Sequence, residues 1–187
     1  MNLDYINQYL SETEKIIQGI DRREIANAIN MLSQLKRNQG RLFIGGIGGS
    51  AGNASHAVND FRKICNIEAY APTDNVSELT AWTNDKNFDV IFKNWLLTSK
   101  VSNKDILLVF SVGGGSLKTS YNLVLAMETA KEVGANIISI VSRDGGAAKK
   151  FSDVCILIPI VFEERITPHA EGWQAILWHL IVDGIRD

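Results

Sequence analysis

The sequence predicts a doubly wound, mainly parallel α/β sheet with two helices ahead of it. Short apolar runs alternate with segments of helical period along the chain, the pattern of strands joined by crossover helices. Two of the runs, DILLVFS at 105–111 and ANIISIV at 135–141, lack the polar alternation of a half-exposed strand and suit strands buried on both faces. A strand, a glycine turn, a serine and a helix also follow one another twice, as FIGGIGGS and as LVFSVGGGS.

Taken in order, Leu3, Ile6, Tyr9, Leu10, Thr13, Ile16 and Ile17 recur at helical spacing, and Gly19 ends that helix. Asp21 with Glu24 reads as an acidic capping box for a second helix, striped by Ile25, Ala28, Ile29, Leu32 and Leu35 and stopped at 38–40. These amphipathic helices must pack on their own sheet or on another subunit. A strand at Leu42 to Ile44 leads into Gly45, Gly46, Gly48 and Gly49, and Ser50 opens and can cap the next helix, whose stripe is Ala51, Ala54, Ala57, Val58 and Phe61. Glu68 to Ala71 is a weak strand ended by Pro72. The polar stretch 73–85 contains a short helical piece, and Phe88 to Leu97 has a helical pattern through Phe92, Trp95 and Leu96.

After DILLVFS and its glycine turn, a helix is expected from Leu117 to about Val133, capped by Ser116. ANIISIV follows, then a turn at 142–146, a short helix from Ala147 to Phe151 and a strand from Val154 to Pro159. A last helix from about Pro168 to Ile185 buries Ile176, Leu177, Leu180, Ile181 and Ile185.

The 187 residues fit one domain, 1–187, without linkers or low-complexity tracts, and 45% hydrophobic with 21% charged residues is ordinary globular composition. A net charge of −2 with no basic stripe argues against a nucleic-acid partner. No run approaches the roughly 20 apolar residues of a membrane span, and the acidic N-terminus is unlike a signal peptide. Cys65 and Cys155 are isolated in apolar surroundings and read as buried thiols of a reducing compartment. A cytoplasmic protein without membrane contact is expected.

The glycine turns carry the functional reading. A strand, a glycine turn and a helix N-terminus present free backbone N–H groups and the positive end of the helix dipole to one point, an anion site. Many such turns only connect, and this one matches neither GxGxxG nor GxxxxGK[ST]. Its repetition is the stronger argument, because two such turns at neighbouring strand ends converge on one crevice. His56 and Asp60 lie one helical turn apart, either a surface hydrogen bond or a pair of metal ligands. Trp173 and Trp178 read as core or subunit-interface residues.

GGSAGNASHAVND, LTAWTND, LLVFSVGGGS, IVSRDGG and EGWQAILWH together resemble the sugar isomerase (SIS) domain, and within it the phosphoheptose isomerases. The resemblance spans nearly the whole chain and implies a flavodoxin-like three-layer sandwich, with 1–39 as oligomerising helices of a homotetramer and 40–187 as the α/β core. It implies isomerisation of sedoheptulose 7-phosphate, a phosphorylated ketose, to an aldose heptose 7-phosphate. It implies one Zn2+ per subunit held by His56, Asp60, Glu171 and His179, with Asp60, Glu171 and His179 as the catalytic groups. Phosphate and substrate contacts correspond to Gly48, Gly49, Ser50, Asn84, Asp85, Ser111, Val112, Gly113, Ser116 and Glu171.

The chain departs from that family in having Asp60 for a Glu, Glu171 for a Gln, Ile47 for an Asn, and Ser111-Val112-Gly113 for a Ser-Thr-Ser turn. His169 has no assigned counterpart. An aldose–ketose isomerase needs a base, an acid and a stabiliser of the developing oxyanion. His nitrogen and carboxylate oxygen are the ligands zinc accepts. Glu171 and His179 are eight residues apart, about 12 Å along a regular helix, so they share an ion only if their side chains lean together or Glu171 precedes the helix. Alone, His179 reads as a partly buried residue between Trp178 and Leu180 rather than as a ligand, and the resemblance reverses that preference. Two other readings stand beside this one: a non-catalytic SIS adaptor or regulator that binds a protein, such as a replication initiator, and an isomerase of another ketose phosphate.

Overall fold

A computed structural model describes residues 3–186. Helices α1 (Leu3–Gly19) and α2 (Arg22–Arg37) precede β1 (Leu42–Gly45) and α3 (Gly49–Lys63). Then come β2 (Ala69–Tyr70), α4 (Val76–Asp85), α5 (Ile91–Thr98), β3 (Ile106–Phe110) and α6 (Tyr121–Glu132). The chain closes with β4 (Asn136–Val141), α7 (Gly146–Phe151), β5 (Val154–Leu157) and α8 (Ile166–Ile185).

The five strands form one all-parallel sheet in the order β2-β1-β3-β4-β5. Leu42 pairs with Ile106 and Gly45 with Val109, so the two glycine turns leave adjacent strands at the same level. Every residue of β1 and β3 is buried, as their unbroken apolar runs require.

One core layer holds Leu32, Phe61, Leu177 and Trp178 beneath α2, α3 and α8. The other holds Phe43, Phe92, Trp95 and Met127 beneath α5 and α6. This is the expected three-layer sandwich. Phe61 and Trp178 are fully buried, so truncating either to Ala costs about 3–5 kcal/mol.

Local chemistry shifts several boundaries. Asp21 caps α2 through its carboxylate, which accepts from the Arg23 N–H at 2.8 Å. Glu24 does not close the expected box: it accepts instead from the Cys155 N–H on edge strand β5, at 3.0 Å. Ser50 is not a cap either, since Gly48 occupies that position at φ 62°, a backbone that glycine adopts freely. Ser116 does not cap α6. Its Oγ accepts from the N–H groups of Lys118 and Thr119, and the turn this closes delays the helix to Tyr121. β5 stops at Leu157, two residues before Pro159, which has no N–H to give a ladder.

α2 packs on its own sheet's β5 and on α8. α1 buries only Glu12 and Ile16. Cys65 is buried, with its thiol 3.4 Å from the Val182 carbonyl, and Cys155 is half-buried. No described helix is long and apolar enough to cross a membrane.

Candidate functional site: an anion cleft and a His-Asp-His cluster

The chain leaves β1 toward β2 on one side and returns through β3 on the other, which makes the gap between β1 and β3 the switch point of the sheet. Open α/β sheets bind ligands outside the carboxyl ends of the strands at such a point. A cleft of about 570 Å³ opens there. Ile47 and Ser50 line it from the first glycine turn, and Ser111, Val112, Gly113 and Ser116 from the second. Gly48 and Gly49 form the adjoining cap and first residue of α3.

Arg143 and Asp144, from the turn after β4, and Thr167, from the start of α8, also line it. The turn after β3 and the turn after β4 are laced together. The N–H groups of Ser142, Ala147 and Ala148 donate to the carbonyls of Val112, Gly115 and Gly114 at 3.0, 3.0 and 2.9 Å. The fit requires glycine at 114, where φ is +71° and a Cβ would overlap the Gly145 carbonyl.

The serines differ in what they have left to give. Ser111 Oγ accepts from the Gly114 N–H at 3.1 Å, and Ser116 Oγ accepts two backbone N–H groups, so each keeps its own proton for a ligand. Ser50 donates its proton to Gln174 Oε1 at 2.9 Å. Asn53 Nδ2 donates to the same oxygen at 3.1 Å and to the Glu171 carbonyl at 2.9 Å. These bonds clasp α3 and α8 side by side and in the same direction.

Farther along the two helices, the ligand atoms of His56, Asp60 and His179 all lie within 4.8 Å of one another. Asp60 Oδ2 is 4.0 Å from His56 Nε2 and 3.7 Å from His179 Nε2. His179 Nδ1 lies 2.6 Å from the carbonyl oxygen of Ala175, which accepts from it. A neutral His179 therefore carries its proton on Nδ1 and turns the lone pair of Nε2 toward the carboxylate. Two acceptors facing one another call for a cation between them. The donors are two nitrogens and one oxygen on a half-open surface, a set that fits a divalent metal and zinc in particular.

Glu171, expected as a fourth ligand, stands outside this cluster. α8 is continuous from Ile166 to Ile185, so eight residues carry Glu171 about 12 Å back along the helix from His179. Its carboxylate lies against Gly49, where a Cβ would collide with it. Asn84 and Asp85 also lie apart from the cleft: they are exposed on α4, with Asn84 donating to Asp85 at 2.9 Å. Trp173 and Trp178 are buried, as read.

His169 finds its role in a buried ionic cluster. Its Nε2 is 2.7 Å from Glu12 Oε2, and Arg165 bonds both oxygens of Glu12 at 2.9 and 2.5 Å. The cluster ties α1 to the start of α8, beside Thr167. The hydrogen bond from Arg165 holds the Glu12 carboxyl down at about 2, against the upward push of burial, and His169 adds to the lowering.

Arg143, Asp144, Thr167, Asn53 and Gln174 escaped the sequence reading. Arg143 and Asp144 had a signal, since ANIISIVSRDGG is a third strand–glycine turn–helix unit. Asn53 and Gln174 had none, because a polar residue on a helix gives no sign that it faces another helix.

The model of the SIS domain family matches residues 4–142. A phosphoheptose isomerase of Helicobacter pylori (strain ATCC 700392 / 26695) is 28% identical over 178 residues, covering 92% of this chain and 88% of its own. That of Helicobacter pylori (strain HPAG1) is 30% identical over 154 residues, covering 80% of this chain and 76% of its own. The structure of phosphoheptose isomerase GmhA from Neisseria gonorrhoeae superposes with a TM-score of 0.85 over 99% of both chains, at 25% identity.

Proposed function

The chain belongs to the SIS domain family and to its phosphoheptose isomerase branch, and on that premise we propose that it interconverts sedoheptulose 7-phosphate and D-glycero-D-manno-heptose 7-phosphate. The observation that carries the reading is that one helix, α3, holds both halves of such a site. Its first turn borders the anion cleft, and His56 and Asp60 stand farther along it. Six residues from Ser50 to His56 cover about 9 Å at a helical rise of 1.5 Å per residue. An extended seven-carbon sugar phosphate can span that interval with its ester in the cleft and its carbonyl end at the cluster. A three-carbon phosphate cannot.

His56, Asp60 and His179 would hold one Zn2+ per subunit and leave a coordination position open, as catalytic zinc sites do. When bound, zinc supplies a Lewis acid for the carbonyl oxygen. The chain's own groups move the proton between adjacent carbons. With no ion between them, Asp60 would take that proton and His179 would return it through Nε2; with zinc held there, those atoms are ligands and Glu171 would take and return it. Glu171 contacts the sugar nearer the phosphate and is the second candidate base. Ser111 and Ser116 donate to the phosphate.

We further assign the protein to a cytoplasmic homotetramer. Leu3, Ile6, Leu10 and Ile17 on α1 are between 42% and 59% exposed, an apolar face suited to a second copy. Asn84 and Asp85, remote from their own cleft, are assigned to a neighbouring subunit's site. A panel of sugar phosphates assayed with zinc and with a chelator tests the activity. Turnover of the heptose pair in zinc alone supports it, and no turnover of any sugar phosphate in zinc overturns it. Light scattering at micromolar concentration tests the assembly, and a monomer would overturn that part.

A further inference from the structure

We infer that Arg143 is the cationic anchor of the phosphate in the cleft, an inference that rests on the sugar-phosphate reading above. Among the residues lining the cleft, Arg143 is the one cation and Asp144 the one carboxylate. Asp144 is engaged, since its Oδ1 accepts from the Gly146 N–H at 3.1 Å. The Arg143 guanidinium has no ion pair or hydrogen bond among the described residues. By contrast, Arg41, Arg165 and Arg186 each pair with a carboxylate, and Arg62 donates to the Ala69 carbonyl.

Position supports the same role. The backbone of Arg143 is left-handed, with φ at +55°, an unfavourable conformation for an arginine. The bonds from Ser142 N–H to Val112 and from Gly145 N–H to Ser142 fix it there. Strained backbone of this kind persists where the surroundings over-determine it, and it clusters at ligand sites. The stem of Arg143 then crosses in front of Gly113: its Cδ is 3.6 Å from the place a Cβ would take at that glycine. Val112 and Gly113 offer no polar side chain, and the opposing serines are neutral. A phosphate dianion seated on neutral donors needs a counter-charge, and a planar guanidinium supplies one with paired N–H groups.

The test measures binding of inorganic phosphate and of sedoheptulose 7-phosphate by calorimetry to the full-length wild type, Arg143→Lys, Arg143→Ala and Arg143→Asn. Arg143→Ala should weaken both ligands by about tenfold or more, as expected for loss of a charge-assisted bond. Arg143→Lys should retain more affinity than Arg143→Ala, and added salt should weaken the wild type more than the uncharged variants. KM should rise in parallel with the loss while kcat changes less. Should Arg143→Ala fail to fold by circular dichroism, Arg143→Asn decides, because Asn tolerates the left-handed backbone.

Unchanged phosphate affinity in a folded, uncharged variant overturns the assignment, as does a wild type that binds no phosphate. Arg143-dependent phosphate binding in a protein that isomerises no sugar phosphate supports the anchor and defeats the isomerase reading instead.

Discussion

Nε2 of His179 faces Oδ2 of Asp60 across 3.7 Å, and the bond from its other nitrogen to Ala175 decides that it faces the carboxylate as an acceptor. Ala175 and His179 are one turn apart on α8, so the helix itself selects the tautomer. The pair is thereby poised for a metal ion or for a proton, and these two roles can be separated.

His179→Ala and Asp60→Asn should each lower kcat by about a hundredfold or more, the range of lost acid–base catalysis. Metal analysis of the purified variants tells the roles apart. Protein that is inactive without zinc points to coordination, and protein that is inactive with full zinc points to proton transfer. Because histidine must be neutral to bind a metal, zinc occupancy of the wild type should fall on acidification. Glu171→Gln should retain zinc, since Glu171 stands outside the cluster; loss of zinc in that variant would return it to the ligand set.

Ser116→Ala and Ser111→Ala should weaken sugar-phosphate binding by about 1.5–3 kcal/mol, the worth of a hydrogen bond to a charged group. Ser50→Ala should cost less affinity, because the Ser50 proton is already given to Gln174. Its main effect should be a loss of stability of about 1 kcal/mol, read from denaturant unfolding. The reverse ranking by calorimetry would mean that Ser50 turns to the ligand when one is present.

Gly114→Ala should lower stability by about 3 kcal/mol or more and abolish phosphate binding. An alanine there is strained at φ +71° and its methyl meets the Gly145 carbonyl. Gly52→Ala, in open space on α3, is the control and should unfold at or above the wild-type temperature.

Glu12→Gln should flatten the acid limb of the stability curve. The Glu12 carboxyl is lowered from 4.5 to about 2 in the folded protein, so it binds protons more readily when unfolded. Its contribution is fully present above pH 4.5 and is lost as pH falls through about 2. Wild type and variant should therefore converge in stability across that interval, as followed by urea titration at successive pH values.

The parts of this molecule that sequence reveals are those written in period and punctuation. Unbroken runs such as DILLVFS declare buried strands, and two glycine turns ending in serine mark the cleft. His56 and Asp60 declared themselves by a four-residue spacing on one helix. Contacts between distant elements left no such mark. Glu24 reaching Cys155, Ser50 reaching Gln174 and Glu12 reaching His169 each join residues more than 100 positions apart. Local rules assigned Glu24 and Ser50 to caps because a cap is the nearest partner in sequence. The fold offered them a partner nearer in space.

Helix α4 has no buried residue, and it carries Asn84 and Asp85. A helix of ten residues is marginal on its own, so in the isolated chain α4 is held mainly by the edges of Leu79 and Trp82 against the α5 side. Its amides should be among the earliest to exchange with deuterium, far ahead of those of β3. Any ligand or subunit that uses Asn84 and Asp85 must quiet this segment as it binds, so the entropy of α4 is part of the affinity. Slower exchange across 76–85 on adding sugar phosphate would then report occupancy at a distance from the cleft itself.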